Sequence, residues 1–227
     1  MNKSDIKIVF MGTPEFAAVC LDNLIKDGFN VVLAVAQPDK PVGRKHVITP
    51  PPCKVRALEA GIPVFQPDSM KTDESYEELK SYEPDLIITA AYGKLLPERV
   101  LNIPKYGCIN AHGSLLPKYR GASPVQMAIL NGEEVTGVTI MKMDIGMDTG
   151  DMITKVEVPI DENIDTDGLM MQLAEAGGKL LTDTIEDYVN GKLTPVKQDE
   201  AIATHCSMIK PEDGIFNWSD SALVIHN

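Results

Sequence analysis

The chain is poor in several features that mark particular protein classes. It has 4 cysteines, Cys20, Cys53, Cys108 and Cys206, no two of them within about thirty residues of each other. That spacing offers no CxxC pair and supports neither a structural zinc site nor a disulfide framework. Buried, inert thiols are the expectation. Long apolar runs are missing too, and none approaches the roughly 18 residues a membrane span needs. The stretch from Ile6 to Met11 is too short for a signal-peptide core and precedes no small-residue cleavage site. A cytoplasmic chain with no membrane attachment is therefore expected.

Positive charge is scarce, with 21 Lys/Arg against 33 Asp/Glu and a net charge of -12. Its distribution matters more than its sum. Residues 1–60 carry 8 basic and 6 acidic side chains, residues 61–120 carry 7 and 8, and residues 121–227 carry 6 and 19. The last segment repels a polyanion. A nucleic-acid partner would have to meet the N-terminal half or a further domain. Phosphate-binding glycines are absent as well. Gly12-Thr13-Pro14-Glu15-Phe16 lacks the second and third glycines of GxGxxG, and Glu15 would repel a phosphate, which argues against a dinucleotide site.

What is present suits a globular α/β protein. With 227 residues, 44% apolar and 24% charged, the chain fits one large domain, or one domain and a remnant of a second. Apolar β-rich runs alternate with amphipathic ones, the pattern of an open, doubly wound, mostly parallel sheet. Strands are predicted at Lys7–Met11, Val31–Ala36, Asp85–Ala90 and Gly107–Ala111, the last entering a loop at His112. A strand pair is predicted at Val135–Met143 and Asp151–Val158. Helices are predicted from Pro14, at a first helical position, to Asp27, over Cys53–Ala60 and Asp73–Tyr82, from a Ser123 cap to Leu130, and over 166–190. Residues 37–52 hold five prolines and one glycine and read as an irregular loop. Ser219 reads as an N-cap for a helical run that stops at Asn227, so more chain is expected beyond it.

Four segments carry possible chemistry. Asn110 and His112 stand two apart at a predicted strand end, so their side chains share a face near the crevice such sheets use for ligands. Together they could stabilise an oxyanion and move a proton, or the amide could bond a loop beside a packed histidine. The acids of Met143–Asp151 could orient a histidine, hold a hard metal, or be solvated turn residues. Lys40, Arg44, Lys45 and His46 lie on a Pro-framed loop that is either solvated or turned towards a phosphate backbone. Ser114–Gly121 could wall an apolar pocket or plug the end of the sheet.

Taken together, these motifs resemble a family. Asn110-Ala111-His112-Gly113-Ser114-Leu115-Leu116-Pro117-Lys118-Tyr119-Arg120-Gly121 resembles the signature of the folate-dependent formyltransferases, in which an Asn, a His and a later Asp form a catalytic trio. Met147-Asp148-Thr149-Gly150-Asp151 resembles the segment bearing that Asp, so Asp148 is its counterpart. The resemblance runs from Ile6 to about Trp218. It implies a Rossmann-like formyltransferase fold, 10-formyltetrahydrofolate as formyl donor, and no metal. It further implies Asn110 and His112 as donors to an oxyanion, and Asp148 as the group that holds His112 and helps accept a proton. The implied folate pocket comprises Ala90, Tyr92, Gly93, Leu95, Leu96, Ser114, Leu115, Leu116, Pro117, Met141 and Asp144.

Within the family, Phe10–Phe16 and Pro38–Arg44 resemble the branch acting on methionyl-tRNA. This implies methionyl initiator tRNA as acceptor, with Lys40, Arg44 and Lys45 at its acceptor end. Lys45-His46-Val47 stands where that branch commonly has Gly-Lys-Lys. His112-Gly113-Ser114 also occurs in amino-sugar formyltransferases, so amino-sugar N-formylation is the alternative. Hydrolysis of the same folate and a non-catalytic folate- or RNA-binding scaffold are further rivals. A monomer is also expected, and the resemblance implies a catalytic domain over residues 1–206 and a linker from 207–227 towards a basic C-terminal β-barrel.

Overall fold

The structure is a computed structural model and describes residues 1–226. The chain begins with strand β1 (Lys7–Gly12), helix α1 (Glu15–Lys26) and β2 (Asn30–Val35). A hairpin follows, formed by β3 (Lys40–Val42) and β4 (Val47–Thr49). Then come α2 (Pro52–Glu59), β5 (Val64–Phe65), α3 (Asp73–Ser81), β6 (Leu86–Ala90), α4 (Glu98–Leu101) and β7 (Cys108–His112). The remainder is β8 (Arg120–Gly121), α5 (Pro124–Leu130), β9 (Val135–Lys142), β10 (Met152–Pro159), α6 (Thr166–Val189), β11 (His205–Cys206) and α7 (Ala222–His226).

Seven strands form one sheet in the order β10-β9-β7-β6-β1-β2-β5. The five strands from β7 to β5 are parallel, and β9 runs antiparallel to both β7 and β10. Alternate residues of β1 enter two cores, as the period of a strand requires. Ile8 and Phe10 pack with Leu21 and Leu24 of α1 and Leu173 and Leu181 of α6. Val9 and Met11 pack with Leu79 of α3, with Leu96 just before α4, and with Val100 of α4. The expected doubly wound architecture follows from this two-faced burial, each fully buried aliphatic side chain contributing about 1.5–3 kcal/mol. Strands β1 and β6 end together at Gly12 and Ala90, where the strand order reverses. Such a reversal opens a crevice at the strands' carboxyl ends.

Local chemistry sets several boundaries. Helix α1 stops where Gly28 N donates to Ile25 O at 3.1 Å and Phe29 N donates to Leu24 O at 3.0 Å, a Schellman closure with Gly28 at φ +80°. Thr72 caps α3 by accepting from Ser75 N, and Asp165 caps α6 by accepting from Gly168 N.

Other expectations need correction. Pro14 is the cap residue of α1 and lies outside its first turn. Ser123 stands at the start of α5, but its hydroxyl accepts from Ile209 N instead of capping the helix. The last helix starts at Ala222, with Ser221 accepting from Val224 N, so Ser219 is not its cap. Asn227, where that run was expected to stop, lies outside the described residues. Residues 37–52 are not wholly irregular, because Val42 pairs with Val47 and Lys40 with Thr49 around a turn. His112 lies within β7 and not in a loop. Strands β5, β8 and β11 and helix α4 were not foreseen, since two to four residues are too few to show a period.

Among the described residues no helix is long and apolar enough to cross a membrane. All four cysteines are free and buried. Burial pushes the thiols of Cys20, Cys53 and Cys108 up to about 12, so almost none is thiolate near neutrality. These three should resist a thiol-reactive disulfide reagent at pH 8 in the folded chain and react once urea unfolds it. Fast labelling of the folded chain at these positions would contradict the packing described. A second test concerns strand pairing. A Cβ on Gly137 would stand 2.0 Å from Val156 O and 2.6 Å from Leu115 Cδ2. Gly137→Ala should therefore lower the urea midpoint, by about 1–3 kcal/mol in stability. An unchanged midpoint would show that β9 and β10 pair less tightly.

Candidate active site

Strand β7 supplies the centre of the site. Thr89 of β6 is the register partner of Asn110 on one side, and Met141 of β9 is its partner on the other. The Thr89 hydroxyl donates to Asn110 Oδ1 at 2.7 Å. With Oδ1 accepting from that hydroxyl, Nδ2 faces away with its two hydrogens.

His112 lies two residues on and is buried. Its Nε2 is 2.9 Å from the carbonyl oxygen of Tyr119. A carbonyl only accepts, so Nε2 carries the proton and Nδ1 of the neutral ring is an acceptor. Nδ1 lies 3.7 Å from Asp148 Oδ2. In this state the ring faces Asp148 with an acceptor. From Nδ1 it donates only after taking up a proton, and the charge then sits beside a carboxylate.

Asp148 is in the left-handed region at φ +55°, a conformation that persists only where the surroundings impose it. Three contacts do so. Its Oδ2 accepts from Gly121 N at 2.8 Å, and its backbone oxygen and that of Gly150 each accept from Gln198 Nε2 at 2.8 Å. Gln198 Oε1 accepts from Arg120 Nε at 2.9 Å, and Glu200 binds the same guanidinium through both oxygens, at 3.0 and 2.8 Å. Glu200's carboxyl is held below its usual range by its hydrogen bond to Arg120. Gly121, at φ +120°, lets β8 lie against β11. A Cβ there would stand 2.1 Å from Cys206 O.

A cavity of about 510 Å³ opens at this end of the sheet, in the range of small-molecule sites. Asn110, His112 and Asp148 all line it, so the structure brings the expected trio together. Tyr92, Gly93, Leu95, Leu96, Met141 and Asp144 of the expected pocket line it as well. Ala90 does not, being wholly buried in the sheet with Ala91 at the wall instead.

Ser114, Leu115, Leu116 and Pro117 also lie outside the lining. Ser114 Oγ donates to Lys118 O, Leu116 N donates to Thr139 Oγ1, and Thr139 Oγ1 donates to Ser114 O. These bonds turn the segment back under β9, so it plugs the sheet end. Asp144 Oδ1 accepts from Gly146 N at 2.9 Å and Thr149 Oγ1 at 2.7 Å, which gives this acid a turn-forming role. Among the described residues no three His, Cys, Asp or Glu side chains gather as metal ligands would.

Lys40, Arg44 and Lys45 lie outside the cavity, on the exposed hairpin β3–β4. None of the three forms an ion pair among the described residues. Val42, Val47 and Ile48 are exposed beside them. The hairpin base connects to the cavity wall through Gln37, which accepts from Lys40 Nζ at 2.7 Å and donates to Tyr92 O at 3.0 Å.

Sequence reasoning missed Thr89, Gln198, the contact of Gly121 with Asp148 and the buried state of Arg120. Thr89 had a signal, a lone polar residue inside Leu86-Ile87-Ile88-Thr89-Ala90. Gln198 had none, because its partners are 48 to 78 residues away in the chain and no period marks its segment.

Comparison with known proteins agrees with this geometry. The family model described as formyl transferase matches residues 6–185. In solved structures, the N-formyltransferase from Helicobacter canadensis on complex with folinic acid and dTDP-3-aminofucose aligns at a TM-score of 0.73 and 24% identity, covering 97% of this chain and 78% of that one. A 4-N formyltransferase from Francisella tularensis aligns at 0.73 and 20% identity, covering 98% and 86%. At such identities these show the shared fold alone. Sequence likeness is much higher to proteins named methionyl-tRNA formyltransferase. The one from Citrifermentans bemidjiense is 50% identical over 98% of this chain and 70% of its own length. That from Geobacillus sp. is 51% identical over 98% and 70%, and that from Bacillus subtilis 48% over 97% and 70%. With half of its residues identical over nearly its whole length, the chain belongs to the methionyl-tRNA formyltransferase family.

Proposed function

We propose that this chain transfers the formyl group of 10-formyltetrahydrofolate to the amino group of methionyl initiator tRNA, for translation initiation. The observation that carries this reading is the 50% identity to methionyl-tRNA formyltransferases over 98% of the chain. The convergence of Asn110, His112 and Asp148 on one cavity supports it.

The cavity's chemistry suits a folate. Leu95, Leu96 and Ile145 offer apolar walls to a flat ring. When bound, the folate supplies the formyl carbon. Asn110 Nδ2, oriented by Thr89, donates to the formyl oxygen where negative charge develops. His112 Nδ1, an acceptor in the neutral ring, takes the proton that the attacking amine must lose. Asp148 then stabilises the resulting imidazolium. As the new bond from the methionyl nitrogen to the formyl carbon is kept and the formyl carbon–N10 bond breaks, that imidazolium returns its proton to N10 of the departing tetrahydrofolate. The hairpin bearing Lys40, Arg44 and Lys45 meets the tRNA, in keeping with the basic balance of residues 1–60. Residues 1–206 form the catalytic unit, which both buried cores support because they end by Val189. The chain acts as a monomer in the cytoplasm.

An acceptor panel tests the reaction. The chain is mixed with 10-formyltetrahydrofolate and, separately, methionyl initiator tRNA, glycinamide ribonucleotide, an amino-sugar nucleotide or water, and formyl is followed by mass spectrometry at low salt. Formyl on methionyl-tRNA is expected. Formyl on the sugar nucleotide, or lost to water, with none on tRNA would overturn the substrate. Asn110→Ala and His112→Ala should each lower kcat about 10²–10³-fold while folate Kd changes little. Weak folate binding with normal turnover would remove these roles. Arg44→Ala and Lys45→Ala should raise KM for tRNA and reduce the salt slope by about 1 each. Unchanged KM and slope would remove the hairpin from the tRNA interface.

A further inference from the structure

The turn that carries Asp148 is held by a residue with no place in the trio. Gln198 lies between α6 and β11, in a segment tied to β10 through the bridge of Val196 to Met152. Its side chain is buried, and its amide is fully used. The oxygen accepts from Arg120 Nε, and the nitrogen donates to Asp148 O and to Gly150 O. This place needs one acceptor towards a guanidinium and two donors towards carbonyls at once. Glutamate lacks the donors, lysine and arginine lack the acceptor, and asparagine is a methylene short. Arg120, itself 2% exposed and anchored by Glu200, gives the amide a rigid base.

We infer that Gln198 is a positioning residue for formyl transfer. It holds the backbone on both sides of Thr149 so that the Asp148 carboxylate, left-handed at φ +55° and bonded to Gly121 N, faces His112 Nδ1. The inference rests on the catalytic reading of Asp148 given above. Displacement of an aligned group by about 1 Å can cost up to 10²-fold in rate. Gln198 therefore contributes to turnover without touching substrate.

A double-mutant cycle on this chain tests it, with single-turnover transfer to methionyl-tRNA as readout. Gln198→Glu keeps the volume and the acceptor towards Arg120, but sets a carboxylate against two carbonyl oxygens. It should lower the rate about 10- to 100-fold in the otherwise unchanged chain. In an Asp148→Ala background it should lower the rate less than about twofold, because the group it positions is gone. Should Gln198→Glu fail to fold, judged by its thermal midpoint, Gln198→Met carries the same comparison. Equal losses in both backgrounds, or no loss in the unchanged chain, would overturn the inference. An Asp148→Ala chain with undiminished turnover would instead overturn the reading of Asp148, and the inference with it.

Discussion

The arrangement depends on a buried positive charge. Arg120 is almost wholly enclosed, and taking a guanidinium out of water costs several kcal/mol unless charge and hydrogen bonds offset it. Glu200 supplies the charge through a two-pronged contact, and Gln198 supplies an acceptor for Nε. Both come from the strap after α6, so the charge is satisfied only when that strap lies across the sheet end. The strap then adds β11 beside β8, with Arg120 N donating to Thr204 O and Ala122 N to Cys206 O. Closing it also brings Gln198 onto the Asp148 turn. One desolvated charge thereby couples the stability of the sheet end to the geometry of the site.

Much of this was legible in the residues. The two-faced apolar runs of β1, β6 and β7 predicted a doubly wound sheet, and the Asn110–His112 spacing placed two polar groups on one face at a strand end. The resemblance motifs added Asp148. What the sequence did not reveal is tertiary. Residues 114–117 look like pocket wall because they are apolar and follow His112. The hydroxyl of Thr139, on a strand more than about twenty residues away, turns them under the sheet instead. The hairpin within 37–52 was hidden by its prolines, yet Pro41 sits in a two-stranded ribbon with no further neighbour, where a missing donor is tolerated.

The site divides its work between strands and loops. Asn110 and His112 stand on β7, held between β6 and β9, so the two side chains are rigidly spaced. Asp148 stands on a loop and needs Gly121, Gln198 and Arg120 to reach comparable order. The hairpin β3–β4, which we propose meets the tRNA, is separate from both and connects to the cavity through Gln37 and Tyr92. Charge follows the same division, with basic residues towards the N-terminal half and acidic ones beyond residue 121.

His112 presents an unprotonated Nδ1 to the cavity because Nε2 is bonded to the Tyr119 carbonyl. Long-range proton–nitrogen NMR of the ¹⁵N-labelled imidazole, with and without a non-transferable folate, tests it most directly. The account predicts the Nε2–H tautomer in the neutral ring, with the Nδ1 signal moving when folate binds and the Nε2 signal holding. A proton on Nδ1 in the neutral ring, or a ring indifferent to folate, would contradict it.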